Sequence, residues 1–167
     1  MDIGGSFLKT PIEITVNHST MQVEIDPGMT LLELLRDIVK IKTVHRGCGE
    51  GECGACTVLL DGNPICSCLT LAVQADGASI KTVEGLSKEG APHPLTVSFV
   101  NHNASQCGYC TPGVMMTAYA LVDGAPDLSE KEIRWGIKGN ICRCTGYVNI
   151  VEAIKAAANE KKAGNWW

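Results

Sequence analysis

The chain has 167 residues, enough for one domain or two small ones. With 14 Lys and Arg against 18 Asp and Glu its formal charge is −4, which argues against a nucleic-acid binder that works by phosphate neutralisation. An apolar share of 45% excludes wholesale disorder, and a charged share of only 19% fits a chain that hides surface against partners.

Ile12, Ile14 and Val16 alternate with polar residues, and Met21, Val23 and Ile25 repeat the pattern beyond the polar link 17–20. A β-hairpin is predicted over residues 12–25. After the turn Asp26-Pro27-Gly28, Thr30 and Glu33 have capping-box spacing ahead of Leu31, Leu34, Leu35 and Ile38, which predicts a helix. A Gly-rich loop over 47–54 leads into a short β-type run, Thr57–Leu60, closed by the turn signal Asp61-Gly62. Residues 66–75 are expected to form a short helix, and Ile80, Thr82 and Val83 a last strand.

Composition then shifts. Residues 85–93 hold Gly, Ser and Pro without apolar periodicity and are the expected linker. Beyond it the chain reads helical. Pro94 opens a helix through Asn101, and Pro112 sits at a favourable first-turn position ahead of Val114, Met115, Ala118, Leu121 and Val122. Ser129 with Glu132 forms a second capping box, and Asn149 with Glu152 gives a third N-terminal signal. Four short helices around a small core are expected. The domains expected are thus 12–84 and 94–160, with tails at 1–11 and 161–167, and no repeat of fixed period is present.

Nine cysteines are too few for a disulfide scaffold of this length. The opening MDIGGSFLKT lacks a basic stretch followed by an apolar one, and no apolar run approaches the roughly 18 residues of a membrane span. A cytoplasmic location is expected, where clustered cysteines serve metals or redox chemistry.

Cys48, Cys53 and Cys56 follow the spacing C-x4-C-x2-C, with Cys66 and Cys68 downstream. This is the plant-type spacing of a [2Fe–2S] cluster. Gly47, Gly49, Gly51 and Gly54 supply a backbone able to wrap a cluster and aim N–H groups at sulfur. Zinc sites usually pair two C-x2-C arms, which fits poorly here. Spacing alone leaves Cys66 and Cys68 in competition for the fourth position. In the second half Cys107 and Cys110 are followed, after 31 intervening residues, by Cys142 and Cys144. Four thiolates from two helix-end loops suit a second cluster, with zinc a competitor on spacing alone. A helix N-terminus beside Cys110 is expected to favour its thiolate.

The segments GCGEGECGACTVLLDG, SCLTLA, QCGYCTPG and GNICRCTGY, in that order, resemble the small iron–sulfur subunit of the molybdenum hydroxylases, from about Ile12 to Ala158. That family includes xanthine dehydrogenase, aerobic carbon monoxide dehydrogenase and N-heteroaromatic oxidoreductases. The resemblance implies an α+β chain, a β-grasp ferredoxin-like domain followed by a four-helix-bundle domain, each with one [2Fe–2S] cluster. It implies iron rather than zinc. It assigns Cys48, Cys53, Cys56 and Cys68 to one cluster, and Cys107, Cys110, Cys142 and Cys144 to the other.

It further implies an electron-transfer subunit. Electrons leave a molybdopterin centre on a large subunit, pass the helical-domain cluster and then the ferredoxin-like one, and reach FAD on a medium subunit. A dimer of heterotrimers is the expected assembly. Gln106 and Cys144 are implied to lie against the pterin.

Cys66 is expected to be a small buried residue. Arg143, between two ligands, either raises that cluster's potential or forms an interface salt bridge. His18, His45, His93 and His102 fit no ligand spacing and are read as ordinary surface or turn histidines, and Glu50 and Glu52 as solvated loop residues. Trp166 and Trp167 are read as a frayed tail, with docking on a partner subunit as the alternative. Two competing functions are a free-standing ferredoxin shuttle and a zinc-binding interaction module.

Overall fold

The computed structural model describes residues 9–167, so most of the expected N-terminal tail lies outside the described residues. Strands β1 (Thr10–Val16) and β2 (Ser19–Ile25) form the expected hairpin, joined by a two-residue turn in which Asn17 takes φ 57. Asn is one of the few residues that tolerate this left-handed conformation. The Asn17 side chain then accepts from the Thr82 N–H at 2.8 Å, tying the hairpin to the exit of the sheet.

Thr30 caps helix α1 (Leu31–Glu33) with the complete capping box: the Glu33 N–H donates to Thr30 Oγ1 at 3.2 Å, and the Thr30 N–H to the Glu33 carboxylate at 3.0 Å. The helix continues as a wider π-helical turn, Leu34–Ile38, and buries Leu31, Leu32, Leu34 and Leu35. Strands β3 (Thr57–Leu60), β4 (Asn63–Cys66) and β5 (Ser79–Lys81) complete a mixed five-stranded sheet in the order β2-β1-β5-β3-β4, with β1 and β5 parallel. The helix expected over 66–75 is corrected. Cys66 ends a strand, and only Ala72–Ala75 is helical, as one 3₁₀ turn.

Four helices follow: α2 (Pro94–Asn101), α3 (Thr111–Gly124), α4 (Glu130–Gly136) and α5 (Val148–Lys162). Ser129 caps α4 with the expected box. The signal at Asn149 misplaces the start of α5. Tyr147, at φ 67, is its N-cap, and Asn149 lies inside the helix with its amide on the Asn103 carbonyl. Ser98 donates to the Ala153 carbonyl at 2.7 Å, which holds α2 close against α5. Among the described residues no helix is long and apolar enough to cross a membrane.

Two apolar cores result, and β3 serves both. Val58 belongs to the core under α1, whereas its neighbour Leu59 belongs to the helical core. Adjacent strand residues point to opposite faces, so one strand joins the halves. Helix α3 reaches the sheet through Gly113, where a Cβ would stand 2.2 Å from the Gly54 carbonyl oxygen.

Two readings of single residues are corrected. His93 is fully buried and caps α2: its Nδ1 accepts from the Leu95 N–H at 3.1 Å, so Nε2 carries the proton and donates to the Trp167 backbone oxygen at 3.1 Å. Burial is the main influence holding this imidazole below its ordinary pKa. The tryptophan tail is docked on its own chain. Trp166 stacks on Tyr119 at 5.5 Å and donates to Asp123 at 3.1 Å, while Trp167 donates to the Leu86 carbonyl at 3.2 Å.

Gly113→Ala is expected to lower the unfolding free energy by about 1–3 kcal/mol, because a methyl there overpacks a contact between two backbones. Gly124→Ala, at a helix end with open space around it, should instead stabilise by about 0.5 kcal/mol through the unfolded chain. Denaturant unfolding of the two variants reads the difference, and equal effects would contradict the close approach at Gly113.

Candidate metal centres

The first set of thiols sits on a closed lobe. The Arg36 guanidinium pins the lobe's start on the Val44 carbonyl at 2.6 Å, and the His45 N–H bonds the Ala55 carbonyl at 3.3 Å across its neck. Within the neck the backbone turns left-handed at Gly49, Gly51 and Gly54. A side chain at Gly47 would place its Cβ 2.5 Å from Cys53 Sγ. Small residues therefore leave sulfur and backbone N–H groups as the lining of the lobe.

Those N–H groups are aimed at sulfur. Cys48 N–H donates to Cys53 Sγ at 3.3 Å, and Glu50 N–H to Cys48 Sγ at 3.3 Å. The Glu50 N–H is the main cause, with a second N–H from Cys53, that lowers the Cys48 thiol to about 7. Cys48 is exposed and Cys56 and Cys68 are buried. Burial above all, with the neighbouring Cys56 thiol, pushes Cys68 up to about 11. Cys66 is half-buried at the same lobe and is also raised, by burial first and then by Cys56. Gly51 treats the two rivals differently: its N–H favours the Cys68 thiolate, whereas its carbonyl accepts from the Cys66 thiol at 3.7 Å. Glu50 and Glu52 are exposed, as expected.

The second set gathers where α3 begins and just before α5. Cys107 and Cys144 are exposed, with sulfurs 3.6 Å apart. Cys110 is the N-cap residue of α3, yet burial outweighs the helix terminus and pushes its thiol up to about 12. That corrects the expected gain from the helix N-terminus; a metal bound there would have to displace this proton. Burial raises Cys142 as well, but the Thr145 hydroxyl at 3.1 Å and nearby N–H groups outweigh it, so the net shift is downward. Gln106 is exposed beside Cys107, and Arg143 is exposed with no ion pair among the described residues.

The described residues contain no group of three His, Cys, Asp or Glu placed to hold a single metal ion. A two-iron cluster asks for something else, two thiolates on each iron around an inorganic core. The donor sets fit that group: five thiols in the sheet half and four in the helical half, glycines that clear the space, and N–H donors for the charge on sulfur.

The two lobes touch along a seam. Ile141 N–H donates to the Cys53 carbonyl at 2.9 Å, and the Asn140 amide to the Gly54 carbonyl at 3.0 Å. Farther along, Tyr109 donates to the Arg46 carbonyl at 2.6 Å and stacks on His45 at 4.5 Å, whose Nδ1–H donates back to the Tyr109 carbonyl at 2.7 Å. Tyr147 receives the Cys142 N–H on its hydroxyl at 2.8 Å and donates to the Asn140 carbonyl at 3.2 Å. His45 is thus no ordinary surface histidine. His102 closes α2 through the Ser98 carbonyl at 2.8 Å, and His18 stays exposed in its turn. Asn140, Tyr109, His45 and Tyr147 were not singled out by spacing; their only signal is adjacency to the cysteine motifs.

The fold and sites are those of an α+β protein with two iron–sulfur binding units. Residues 14–82 match the family described as "2Fe-2S iron-sulfur cluster binding domain", and residues 82–155 the one described as "[2Fe-2S] binding domain". The nicotinate dehydrogenase small FeS subunit of Eubacterium barkeri is 44% identical over 149 residues, covering 89% of this chain and 95% of that one. A chain of quinoline 2-oxidoreductase from Pseudomonas putida 86 superposes with a TM-score of 0.90 at 43% identity, covering 95% of this chain and 99% of that one. Aldehyde oxidoreductase from Desulfovibrio gigas gives a TM-score of 0.88 at 37% identity over 93% of this chain, which amounts to 17% of that longer one. The chain belongs to the small iron–sulfur subunits of the molybdenum hydroxylases. It carries two [2Fe–2S] clusters, which decides for iron in the helical half, where spacing left zinc open.

Cys66→Ser is expected to leave both clusters in place, because its thiol faces a carbonyl rather than N–H donors. Iron content and the visible absorption of the purified variant read this. Loss of the sheet-half cluster would make Cys66 the fourth ligand.

Proposed function

We propose that Cys48, Cys53, Cys56 and Cys68 hold one [2Fe–2S] cluster and Cys107, Cys110, Cys142 and Cys144 the other, and that the chain carries electrons between two partner subunits. The observation that carries this reading is the pair of thiol lobes, each with an exposed cysteine and joined to the other by one backbone hydrogen bond and several from side chains. Each bound cluster supplies one-electron redox chemistry at the thiolates that hold it. The chain's own residues do the rest: they exclude bulk from the lobes, direct N–H groups at sulfur and fix the spacing of the two sets.

The exposed rim of Gln106, Cys107 and Cys144 suits contact with a molybdopterin on a large subunit, and exposed Cys48 suits delivery to FAD on a medium subunit. Electrons then run from the helical half to the sheet half. A dimer of heterotrimers in the cytoplasm completes the reading, supported by nine free thiols and by relatives named as small subunits. Within it, residues 12–84 form the ferredoxin-like domain, 85–93 the linker and 94–160 a four-helix bundle. A free-standing shuttle is disfavoured by the second, helical half, for which a single-cluster carrier has no use.

In the purified complex, Cys110→Ser should abolish the helical-half cluster and stop substrate-driven reduction of FAD, while FAD and the other cluster remain. Wild-type turnover with both clusters intact in that variant would overturn the ligand assignment.

A further inference from the structure

Asn140 is 3% exposed, and its side chain crosses from the helical half to the sheet half. Its amide donates to the Gly54 carbonyl at 3.0 Å and lies 3.4 Å from the Thr57 hydroxyl. That carbonyl needs no third donor. It already accepts the Thr57 hydroxyl at 2.7 Å and the Thr57 N–H at 3.2 Å, both from its own half, and a carbonyl has two lone pairs. The Asn140 bond therefore adds little to local satisfaction; what it adds is the tie between halves.

The position of that tie is informative. Asn140 and Ile141 grip Gly54 and Cys53 in turn, and the next residue after Ile141 is Cys142. From Cys142 sulfur to Cys53 sulfur the bonded path crosses a single gap, the 2.9 Å hydrogen bond from Ile141 N–H to the Cys53 carbonyl. The other bridges are longer: the one from Tyr109 to Arg46 needs a whole tyrosine side chain and then two more residues to reach Cys48, and the one from His45 to the Tyr109 carbonyl needs the imidazole and then three more residues. Space beside the short path is tight at Gly54, although Ile141 itself is exposed. A Cβ on Gly54 would meet the Gly139 carbonyl at 2.3 Å, and one on Gly113 would meet Gly54.

We propose that Asn140 is a positioning residue for electron transfer between the two clusters: its amide holds the Cys53–Ile141 hydrogen bond at short range. This rests on the ligand assignment above. The step is a one-electron transfer that oxidises the helical-half cluster by one electron and reduces the sheet-half cluster by one, with no bond or proton change in the chain. Asn140 touches neither cluster and acts through Cys53 and Ile141. Asparagine suits the place because both facing atoms, the Gly54 carbonyl and the Thr57 hydroxyl oxygen, accept. A carboxylate there would repel the carbonyl, and an apolar isostere would leave the seam untied.

The test uses the whole complex with Asn140→Leu and Asn140→Asp. Electron paramagnetic resonance of the fully reduced protein reads each cluster's own signal and the magnetic splitting between them. Rapid mixing with dithionite or substrate reads how fast the sheet-half signal follows the helical-half one. Both variants should keep two cluster signals of full intensity, change the size of the splitting, and slow the second step by about tenfold, as expected of a displacement below 1 Å at a geometry-dependent step. Splitting and rate equal to wild type would overturn the proposal. So would loss of a cluster in both variants, since that makes Asn140 a structural support of one lobe. A wild-type complex lacking two [2Fe–2S] signals would instead refute the ligand assignment, whatever the variants do.

Discussion

The Gly54 carbonyl is the point on which the two halves turn. It accepts donors from Thr57 in its own half and from Asn140 in the other, and the backbone of α3 at Gly113 lies against it with no room for a methyl. Only two glycines and a short amide fit such an approach. Because Cys53 precedes Gly54 and Cys142 follows Ile141, this contact fixes two sulfur-bearing loops against each other. Strand β3, which lends Val58 to one core and Leu59 to the other, makes the contact part of the folded body and not a loose docking.

Burial and hydrogen bonding divide the thiols in each lobe. In the sheet half N–H groups favour the outer Cys48 thiolate while burial holds the inner Cys68 protonated; in the helical half burial raises Cys110, the Cys107 thiol raises exposed Cys144, and Thr145 with nearby N–H groups lowers buried Cys142. Loading a lobe must therefore displace protons from its interior, and the metal–thiolate bonds supply the free energy. A lobe of this kind is selective for groups that bind several thiolates together.

Much of this was legible in the sequence, where local chemistry has a short period. Capping boxes at Thr30 and Ser129, the hairpin alternation and the proline at the start of α3 all act within four residues. Strand β4 was not, because Pro64 reads as a breaker; it is tolerated since β4 is an edge strand of the sheet. The start of α5 was missed because Tyr147 caps it by backbone conformation, at φ 67 and without a side-chain bond. Asn140, His93 and the tryptophans act on residues distant in sequence, up to 86 positions for Asn140 and Gly54. No window of sequence carries such pairs. The cysteine spacing located both thiol sets but left Cys66 and Cys68 open; the family resemblance pointed to Cys68, and the Gly51 peptide presents its N–H to Cys68 and its carbonyl to Cys66.

The central claim is that one short chain holds two iron–sulfur clusters in different surroundings, locked at a common seam. Low-temperature electron paramagnetic resonance of the dithionite-reduced native protein, with its partner subunits attached, tests it most directly. The structure requires two [2Fe–2S] signals that relax differently with temperature and split each other at full reduction. A single signal, or zinc in place of iron in the helical half, would contradict it.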